Sequence, residues 1–212
     1  MHNSPVAAEG VPFILPPAVC AVFAVCFGWN ISAAVLALVT FFIVWFFRNP
    51  ERKTPENPKL ITSPADGKVI RIEDLPGHDI LAGPLKKISI FMNVFNVHVN
   101  RAPCSGRVDR IQYYEGRFFS ANLDKASKDN ERNAVIIRMA DGRCVMAIQI
   151  AGLIARRIVC WLSEGMNVTK GERFGLIRFG SRLDVYIPHD SKVLVSIGQT
   201  VRAGETPLGE LS

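Results

Sequence analysis

The chain has 212 residues, of which 49% are hydrophobic and 21% are charged, and its formal net charge is +6. This length accommodates one catalytic domain and a short additional segment. The positive charge favours an anionic partner; without a block of Lys and Arg to indicate a nucleic-acid-binding arm, an anionic membrane surface is the simpler interpretation. An odd number of cysteines with no CxxC pair argues against a disulfide framework or zinc site and favours a reducing, cytoplasmic setting: Cys20, Cys26, Cys104, Cys144 and Cys160.

The first feature along the chain is an apolar stretch from Gly10 to Phe47 that contains no Asp, Glu, Lys or Arg. As one helix it would measure roughly 57 Å, whereas a bilayer core is about 30 Å thick. Turn residues interrupt the stretch at Gly28, Trp29 and Asn30. We therefore predict two apolar helices, at 16–27 and 31–47, that form a hairpin entering or crossing the bilayer.

The charges that flank the apolar stretch give its orientation. Basic residues follow it, at Arg48, Arg52 and Lys53, and none except His2 precedes it. A cleaved signal peptide would need a positive segment before the apolar run. Positive charge marks the cytoplasmic side of a membrane, so the remaining chain is predicted to lie there. A buried core hairpin of a soluble protein is the alternative.

A Pro-rich, charged linker at 48–59 separates the hairpin, residues 1–47, from a domain at 60–212. In that domain short β-type runs alternate with Gly, Pro and Asp, which is typical of a β sandwich or barrel. The segment 195–205 resembles the turn of biotinyl or lipoyl barrel-sandwich hybrids. The predicted fold class is therefore mainly β, with barrel-sandwich-hybrid-like elements and few short helices, plus the N-terminal apolar helical hairpin. The predicted strands are 67–72, 87–91, 106–113, 134–139, 144–149, 157–159, 182–187 and 192–196.

The pair Gly180-Ser181 lies between two β-type runs in the segment KGERFGLIRFGSRLDVYIP. Glycine removes Cβ crowding beside its carbonyl carbon, so the Ser181 hydroxyl can approach that carbon. This is the geometry for an N→O acyl shift. Taken alone, a Gly-Ser pair is more often an ordinary turn.

Four motifs occur in a fixed order around this pair, and each is modest alone. They are Ser63-Pro-Ala-Asp-Gly-Lys-Val69, Phe95-Asn-Val-His-Val-Asn-Arg-Ala-Pro103, residues 122–127 with Asn130-Glu-Arg-Asn133, and Arg178-Phe-Gly-Ser-Arg182. Together they resemble the short bacterial form of phosphatidylserine decarboxylase, and the resemblance extends from about residue 43 to residue 210.

The resemblance implies a proenzyme that cuts itself between Gly180 and Ser181. The products are a β chain, 1–180, and an α chain, 181–212, which stay together as a heterodimer. Ser181 becomes a covalent pyruvoyl group, so pyruvate is the cofactor and no metal is implied. This group would form a Schiff base with phosphatidylserine and release phosphatidylethanolamine in phospholipid biosynthesis. The implied location is the cytoplasmic face of the cell membrane, with the lipid bilayer as a partner and no nucleic acid.

The resemblance also makes Ser181, His98 and Asp66 the catalytic candidates. An imidazole can take the serine proton, and a carboxylate can orient that imidazole. A structural histidine and a plain turn aspartate are the alternatives. Longer family members have a second histidine where this chain has Arg101, so a scheme with two histidines cannot be transferred.

The phosphate and carboxylate of the lipid head group require cationic partners, and Arg can grip such groups with two hydrogen bonds. The candidates in the matched motifs are Arg101, Lys125, Arg132 and Arg182. For each of them a solvated surface charge is the alternative.

Three other functions stay open on the sequence. The first is the same chemistry on another phosphoserine-headed lipid, and the second is a soluble pyruvoyl decarboxylase of a small amino acid. The third is a non-catalytic, membrane-tethered β scaffold or carrier module. A carrier would need an exposed lysine at a hairpin tip, and 197–200 has none.

Overall fold

The computed structural model describes residues 4–116, 130–152, 157–178 and 181–212. The chain divides into two compact units, Met1–Glu51 and Arg52–Ser212. The first unit is helical, and the second contains the strands.

The first unit is the predicted apolar hairpin. It consists of a short 3-10 turn, Ala8–Gly10, followed by helices α1, Val11–Cys26, and α2, Asn30–Phe46. The turn between the helices contains Gly28 at a φ of 72°, which a side chain rarely adopts. Helix α1 begins earlier than predicted: Pro12 lies in its first turn, where a proline breaks no hydrogen bond, and Pro16 and Pro17 lie inside the helix.

One helical stretch in the described residues, Ala8–Cys26, is long and apolar enough to cross a membrane. At 1.5 Å per residue it spans roughly 28 Å, close to the thickness of a bilayer core. Large apolar side chains on both helices are exposed, among them Phe23, Ile31 and Leu38.

The second unit is built from strands, so the mainly-β fold class is confirmed. Every predicted strand overlaps an observed one, and several short strands were not predicted. In chain order the strands are β1 Leu60–Thr62, β2 Gly67–Leu75, β3 Leu85–Met92, β4 Val99–Arg101, β5 Gly106–Tyr114, β6 Arg132–Arg138, β7 Cys144–Ala151, β8 Ile158–Cys160, β9 Asn167–Val168, β10 Arg173–Ile177, β11 Ser181–Pro188, β12 Lys192–Val193, β13 Thr200–Val201 and β14 Pro207–Glu210.

These strands form one large, curled sheet and two small sheets. The large sheet has the order β13-β2-β3-β11-β7-β6-β5-β9, and the small ones are β1-β14-β12 and β4-β10-β8. Strand β11 lies inside the large sheet and pairs antiparallel with β3 on one side and β7 on the other. Both pairings start at Ser181, the first residue of β11.

The two faces of the large sheet differ in what they bury. Leu183, Val185 and Ile187 of β11 belong to the main apolar core, and we call this side the inner face. Residues of the small sheets, such as Phe174 and Leu208, join the same core. Side chains alternate along a strand, so the residues between them point to the outer face. Those residues are Arg182, Asp184 and Tyr186.

The close approach of β2 and β3 requires glycine at position 67. A Cβ atom there would lie 2.2 Å from the carbonyl oxygen of Phe91. Backbone cannot move aside as a flexible side chain can, so no larger residue fits without separating the strands. This contact lies beside both Asp66 and Met92, two residues of the site described below.

We expect Gly67→Ala to destabilise the fold by about 3 kcal/mol through this clash. Gly142→Ala is the matched control, because Gly142 has a φ of 86° and nothing within 4 Å of its added Cβ. The control should lose only about 1 kcal/mol from backbone strain. Chemical denaturation of the two purified full-length variants measures the difference, and equal losses would contradict the strand contact.

Candidate active site

Ser181 is buried at the start of β11 on the inner face of the large sheet. It pairs with Met92 at the end of β3 and with Ala151 at the end of β7. Its hydroxyl donates a hydrogen bond to the Met92 sulfur at 3.3 Å. A thioether is a weak acceptor, so this hydroxyl is held by a contact that is easily exchanged.

A row of three buried carboxamides leads to the same sulfur. Asn133 Nδ2 donates to Gln149 Oε1 at 3.0 Å, and Gln149 Nε2 donates to Asn100 Oδ1 at 2.9 Å. Asn100 Nδ2 donates in turn to Met92 Sδ at 3.8 Å. We call Asn133, Gln149 and Asn100 the carboxamide row. The row and the Ser181 hydroxyl therefore converge on one sulfur atom.

Three strands from two sheets bring the row together. Gln149 and Asn133 are opposite each other on β7 and β6, whereas Asn100 comes from β4 of a small sheet. Gly175, opposite Asn100 on β10, leaves the space that the row needs. A Cβ atom there would lie 3.2 Å from Gln149 Nε2 and 2.2 Å from the Val159 carbonyl oxygen.

His98 lies in the loop between β3 and β4 and is buried. Its Nδ1 is 2.9 Å from the Asn96 carbonyl oxygen. Because a carbonyl only accepts, Nδ1 carries the proton, and the basic lone pair of the neutral ring is on Nε2. The His98 carbonyl accepts a hydrogen bond from the Ile177 amide at 3.4 Å. This bond ties the histidine loop to the strand that runs toward residue 181.

Asp66 has both carboxylate oxygens engaged within the described chain. Oδ2 forms an ion pair with Arg52 at 2.8 Å, and Oδ1 accepts the Ala203 amide at 2.8 Å. Arg52 also pairs with Glu205 at 3.1 Å. Asp66 therefore fixes the turn before β14, and these contacts do not include His98.

Arg101 is buried, and its Nη1 donates to the Gly171 carbonyl oxygen at 2.8 Å. Its backbone amide donates to Pro64 at 2.9 Å, which brings the second and first matched motifs together. Gly171 has a φ of 81°, and a Cβ atom there would lie 2.0 Å from Thr54 Oγ1. Arg101 is thus bound to a tightly packed turn.

The sequence profile of the phosphatidylserine decarboxylase family matches residues 39–209 of this chain. The chain belongs to the phosphatidylserine decarboxylase family. Its membership makes it an enzyme of the decarboxylase class, as the ordered motifs predicted.

Several curated relatives are similar over almost the whole chain. A phosphatidylserine decarboxylase proenzyme of Syntrophus aciditrophicus is 60% identical over 209 residues, which cover 98% of this chain and 98% of that protein. One of Desulfotalea psychrophila is 48% identical, covering 98% of this chain and 97% of that protein. One of Geotalea daltonii is 46% identical, with coverage of 98% and 97%. The names of these relatives describe them as proenzymes.

Arg182 of this decarboxylase lies on the outer face, opposite to Ser181. Its Nε and Nη2 each donate to Asp184 at 2.7 Å, to Oδ1 and Oδ2 respectively. Both side chains are almost completely buried, at 2% and 1% exposure. The sequence predicted a head-group ligand here, whereas the guanidinium has an acidic partner within its own strand.

The other predicted residues have separate environments. The Arg132 guanidinium stacks over the Tyr114 ring, 4.1 Å from its centroid. Lys125 and Gly180 lie outside the described residues. Within the described part of the chain, no three His, Cys, Asp or Glu side chains come close enough to hold a metal ion.

Two residues of the third matched motif, Asn130 and Glu131, form hydrogen bonds to strands next to the site. Asn130 Nδ2 donates to the Ala151 carbonyl oxygen at 2.7 Å, and Ala151 is the partner of Ser181. Glu131 accepts the Ile158 amide at 3.2 Å. Burial, together with a hydrogen bond to Glu131, raises the pKa of Tyr113 to about 12. The sequence located this motif but gave these two residues no role.

Breaking the Arg182–Asp184 pair should destabilise the enzyme strongly. Asp184→Asn leaves a buried guanidinium without its counter-charge, for which we expect a loss of about 3 to 5 kcal/mol. The double variant Arg182→Met with Asp184→Leu removes both charges and should come within about 1 kcal/mol of the wild type. Chemical denaturation measures both, and a double variant as unstable as the single one would argue against a simple buried pair.

Proposed function

We propose that this enzyme converts phosphatidylserine to phosphatidylethanolamine through a pyruvoyl group that it makes from Ser181. The observation that carries the proposal is the position of Ser181. It is the buried first residue of an internal strand, and its hydroxyl bonds on the inner face to Met92, the last residue of β3 before the loop that carries His98. The names of the relatives indicate phosphatidylserine as the substrate. Ser181 is a residue from which a pyruvoyl group can form.

The first step would be cleavage of the chain by its own serine. The Ser181 Oγ attacks the Gly180 carbonyl carbon, the C–N bond breaks, and an ester replaces the amide. Loss of the Ser181 α-proton then expels the Gly180 carboxylate and leaves dehydroalanine. Addition of water to the resulting enamine releases ammonia and leaves a ketone at residue 181.

His98 is the proposed base for the serine proton. Its Nδ1 proton is used by the Asn96 carbonyl, so Nε2 is the nitrogen that can accept a proton. The hydroxyl loses only a weak contact to sulfur when it leaves Met92. The loop between β3 and β4 begins directly after Met92, which holds the hydroxyl, and carries His98 just before β4.

Asp66 is proposed to act through position rather than by touching the reacting atoms. Its ion pair with Arg52 and its bond to the Ala203 amide hold together segments from both proposed chains. Residues 52 and 66 would belong to the β chain and residue 203 to the α chain. The carboxylate thus contributes to the alignment of the two products around the site.

The division into a β chain, 1–180, and an α chain, 181–212, is compatible with the sheet. After the cut, β11 would still pair with β3 along Ser181 to Pro188 and with β7 along Ser181 to Tyr186. Strands β13 and β14 of the α chain pair with β2 and β1 of the β chain. These ladders would keep the heterodimer together without a covalent bond.

The residues present fit a pyruvoyl group at position 181. The precursor is a fully buried serine whose hydroxyl contacts the Met92 thioether, and Asn100 at the end of the carboxamide row contacts the same sulfur. When formed, the group supplies a carbonyl that captures the serine amine and withdraws the electrons left by departing carbon dioxide. His98 is the residue proposed to return a proton to the substrate carbon.

The cationic residues that would hold the head group are proposed to be Arg101, Lys125 and Arg132. Arg182 was predicted with them, but it is not proposed here, because its guanidinium is buried and donates two hydrogen bonds to Asp184. Arg101 is near the histidine loop in sequence and is held rigidly by Gly171, which suits a residue that positions an anion.

The apolar hairpin supports a membrane location for this chemistry. A lipid substrate does not leave the bilayer readily, so an anchored enzyme meets it at high local concentration. The basic residues after the hairpin favour the cytoplasmic face of the cell membrane. We propose 1–47 as the membrane segment, 48–59 as the linker and 60–212 as the decarboxylase domain.

Ser181→Ala tests the proposed function against a matched control. We expect one uncut chain with no turnover of phosphatidylserine, because alanine has neither the nucleophile nor the leaving group. Ser89→Ala is the control, since Ser89 is also a buried serine on a neighbouring strand but faces the outer side opposite Asp184. It should cut itself and form phosphatidylethanolamine normally. Intact mass spectrometry and a vesicle assay with defined lipids provide the readouts.

The masses separate the alternatives. The wild type should give two chains, and the smaller one should lack a free amino terminus. A wild type that stays a single chain under maturing conditions would favour the scaffold or carrier function. Cleavage with turnover of a different serine lipid would keep the mechanism and change the substrate.

A further inference from the structure

The carboxamide row has a direction, and that direction ends beside residue 181. Asn133 donates to Gln149, Gln149 donates to Asn100, and Asn100 donates to Met92 Sδ. Each carboxamide oxygen that accepts within the row fixes which way its own NH₂ group points. The last donor, Asn100 Nδ2, therefore cannot turn away without breaking the bond that Gln149 makes to its oxygen.

The last donor also has the poorest acceptor. Asn100 is fully buried, yet its amide nitrogen is 3.8 Å from a thioether sulfur. A buried N–H on a weak acceptor costs free energy that a leucine at this position would not cost. Successive hydrogen bonds polarise one another, so the row makes this final N–H a stronger donor than an isolated amide.

The same sulfur receives the Ser181 hydroxyl at 3.3 Å. In the proposed chemistry the hydroxyl oxygen leaves with the Gly180 carboxylate, Cβ becomes a methyl group, and water replaces the amide nitrogen on Cα with a ketone oxygen. Met92 then has one donor fewer, and an oxygen acceptor appears on Cα of residue 181, one bond from the carbon that carried the hydroxyl. Methionine is flexible enough to move aside and let the Asn100 amide reach that oxygen.

We propose that Asn100 is a further catalytic residue, which donates a hydrogen bond to the ketone oxygen of residue 181, and that Gln149 and Asn133 position it. The inference rests on the proposed function. A donor fixed in a water-free site stabilises negative charge as it develops on that oxygen, without having to reorganise first. The row thereby activates the ketone for attack by an amine.

Asn100→Leu and Asn133→Leu form a matched pair for the test. Both remove one buried carboxamide from the same row, but only the first removes the donor that reaches residue 181. We expect both full-length variants to cut themselves and to lose similar stability. Mass spectrometry reports the cleaved, blocked α chain, and hydroxylamine reports the reactivity of its ketone directly, without any lipid turnover.

The ketone of Asn100→Leu should react with hydroxylamine about tenfold more slowly than that of Asn133→Leu. The turnover of phosphatidylserine by Asn100→Leu should fall about a hundredfold below that of the wild type. Equal hydroxylamine rates in the two variants would overturn the inference. So would an Asn100→Leu chain that stays uncut while Asn133→Leu matures, because Asn100 would then serve cleavage. If Asn100→Leu does not fold, Asn100→Asp replaces it, because aspartate has the same volume and lacks the N–H donor. Its hydroxylamine rate and its self-cleavage are then compared with those of Asn133→Leu in the same way.

This test is separate from that of the proposed function. A wild-type protein with no ketone at residue 181 would refute the function itself. A wild-type ketone that reacts no faster than the ketone of Asn100→Leu would refute only the role of Asn100.

Discussion

The pairing of β11 with β3 and β7 is the constraint on which the rest of the site depends. Because both ladders begin at Ser181, the reactive residue is fixed on two sides by Met92 and Ala151. The alternation along β11 then sends Ser181 to the inner face and Arg182 to the outer face. A shift of the register by one residue would exchange these two environments and bury the guanidinium where the hydroxyl now lies.

The same strand explains how a cut chain can remain one enzyme. Cleavage before residue 181 removes no residue from either ladder, and the ion pair of Arg52 and Asp66 adds a link to the turn at Ala203. The apolar core is shared as well, since Leu183 and Val185 pack with Ile88 and Val145. The fold therefore holds the new end at residue 181 in place between β3 and β7.

The sequence predicted what local patterns encode and missed what depends on register. Alternating apolar residues identified β11, and the uncharged run identified the helical hairpin. Strand β4 was missed because it is short and its buried residues include Asn100 and Arg101. The carboxamide row could not be predicted from the sequence, because Asn100, Gln149 and Asn133 meet only when strands of two sheets are aligned. The sequence predicted Arg182 as a head-group ligand, although Asp184 two residues later lies on the same face and forms an ion pair with it.

Hydrogen exchange on the matured, two-chain enzyme tests the central claim most directly. If β11 stays paired on both sides after the cut, the backbone amides of Leu183, Val185 and Ile187 will be as strongly protected as in the uncut Ser181→Ala chain. Rapid exchange of these amides in the mature enzyme, or loss of the 181–212 chain in non-denaturing detergent, would contradict the account.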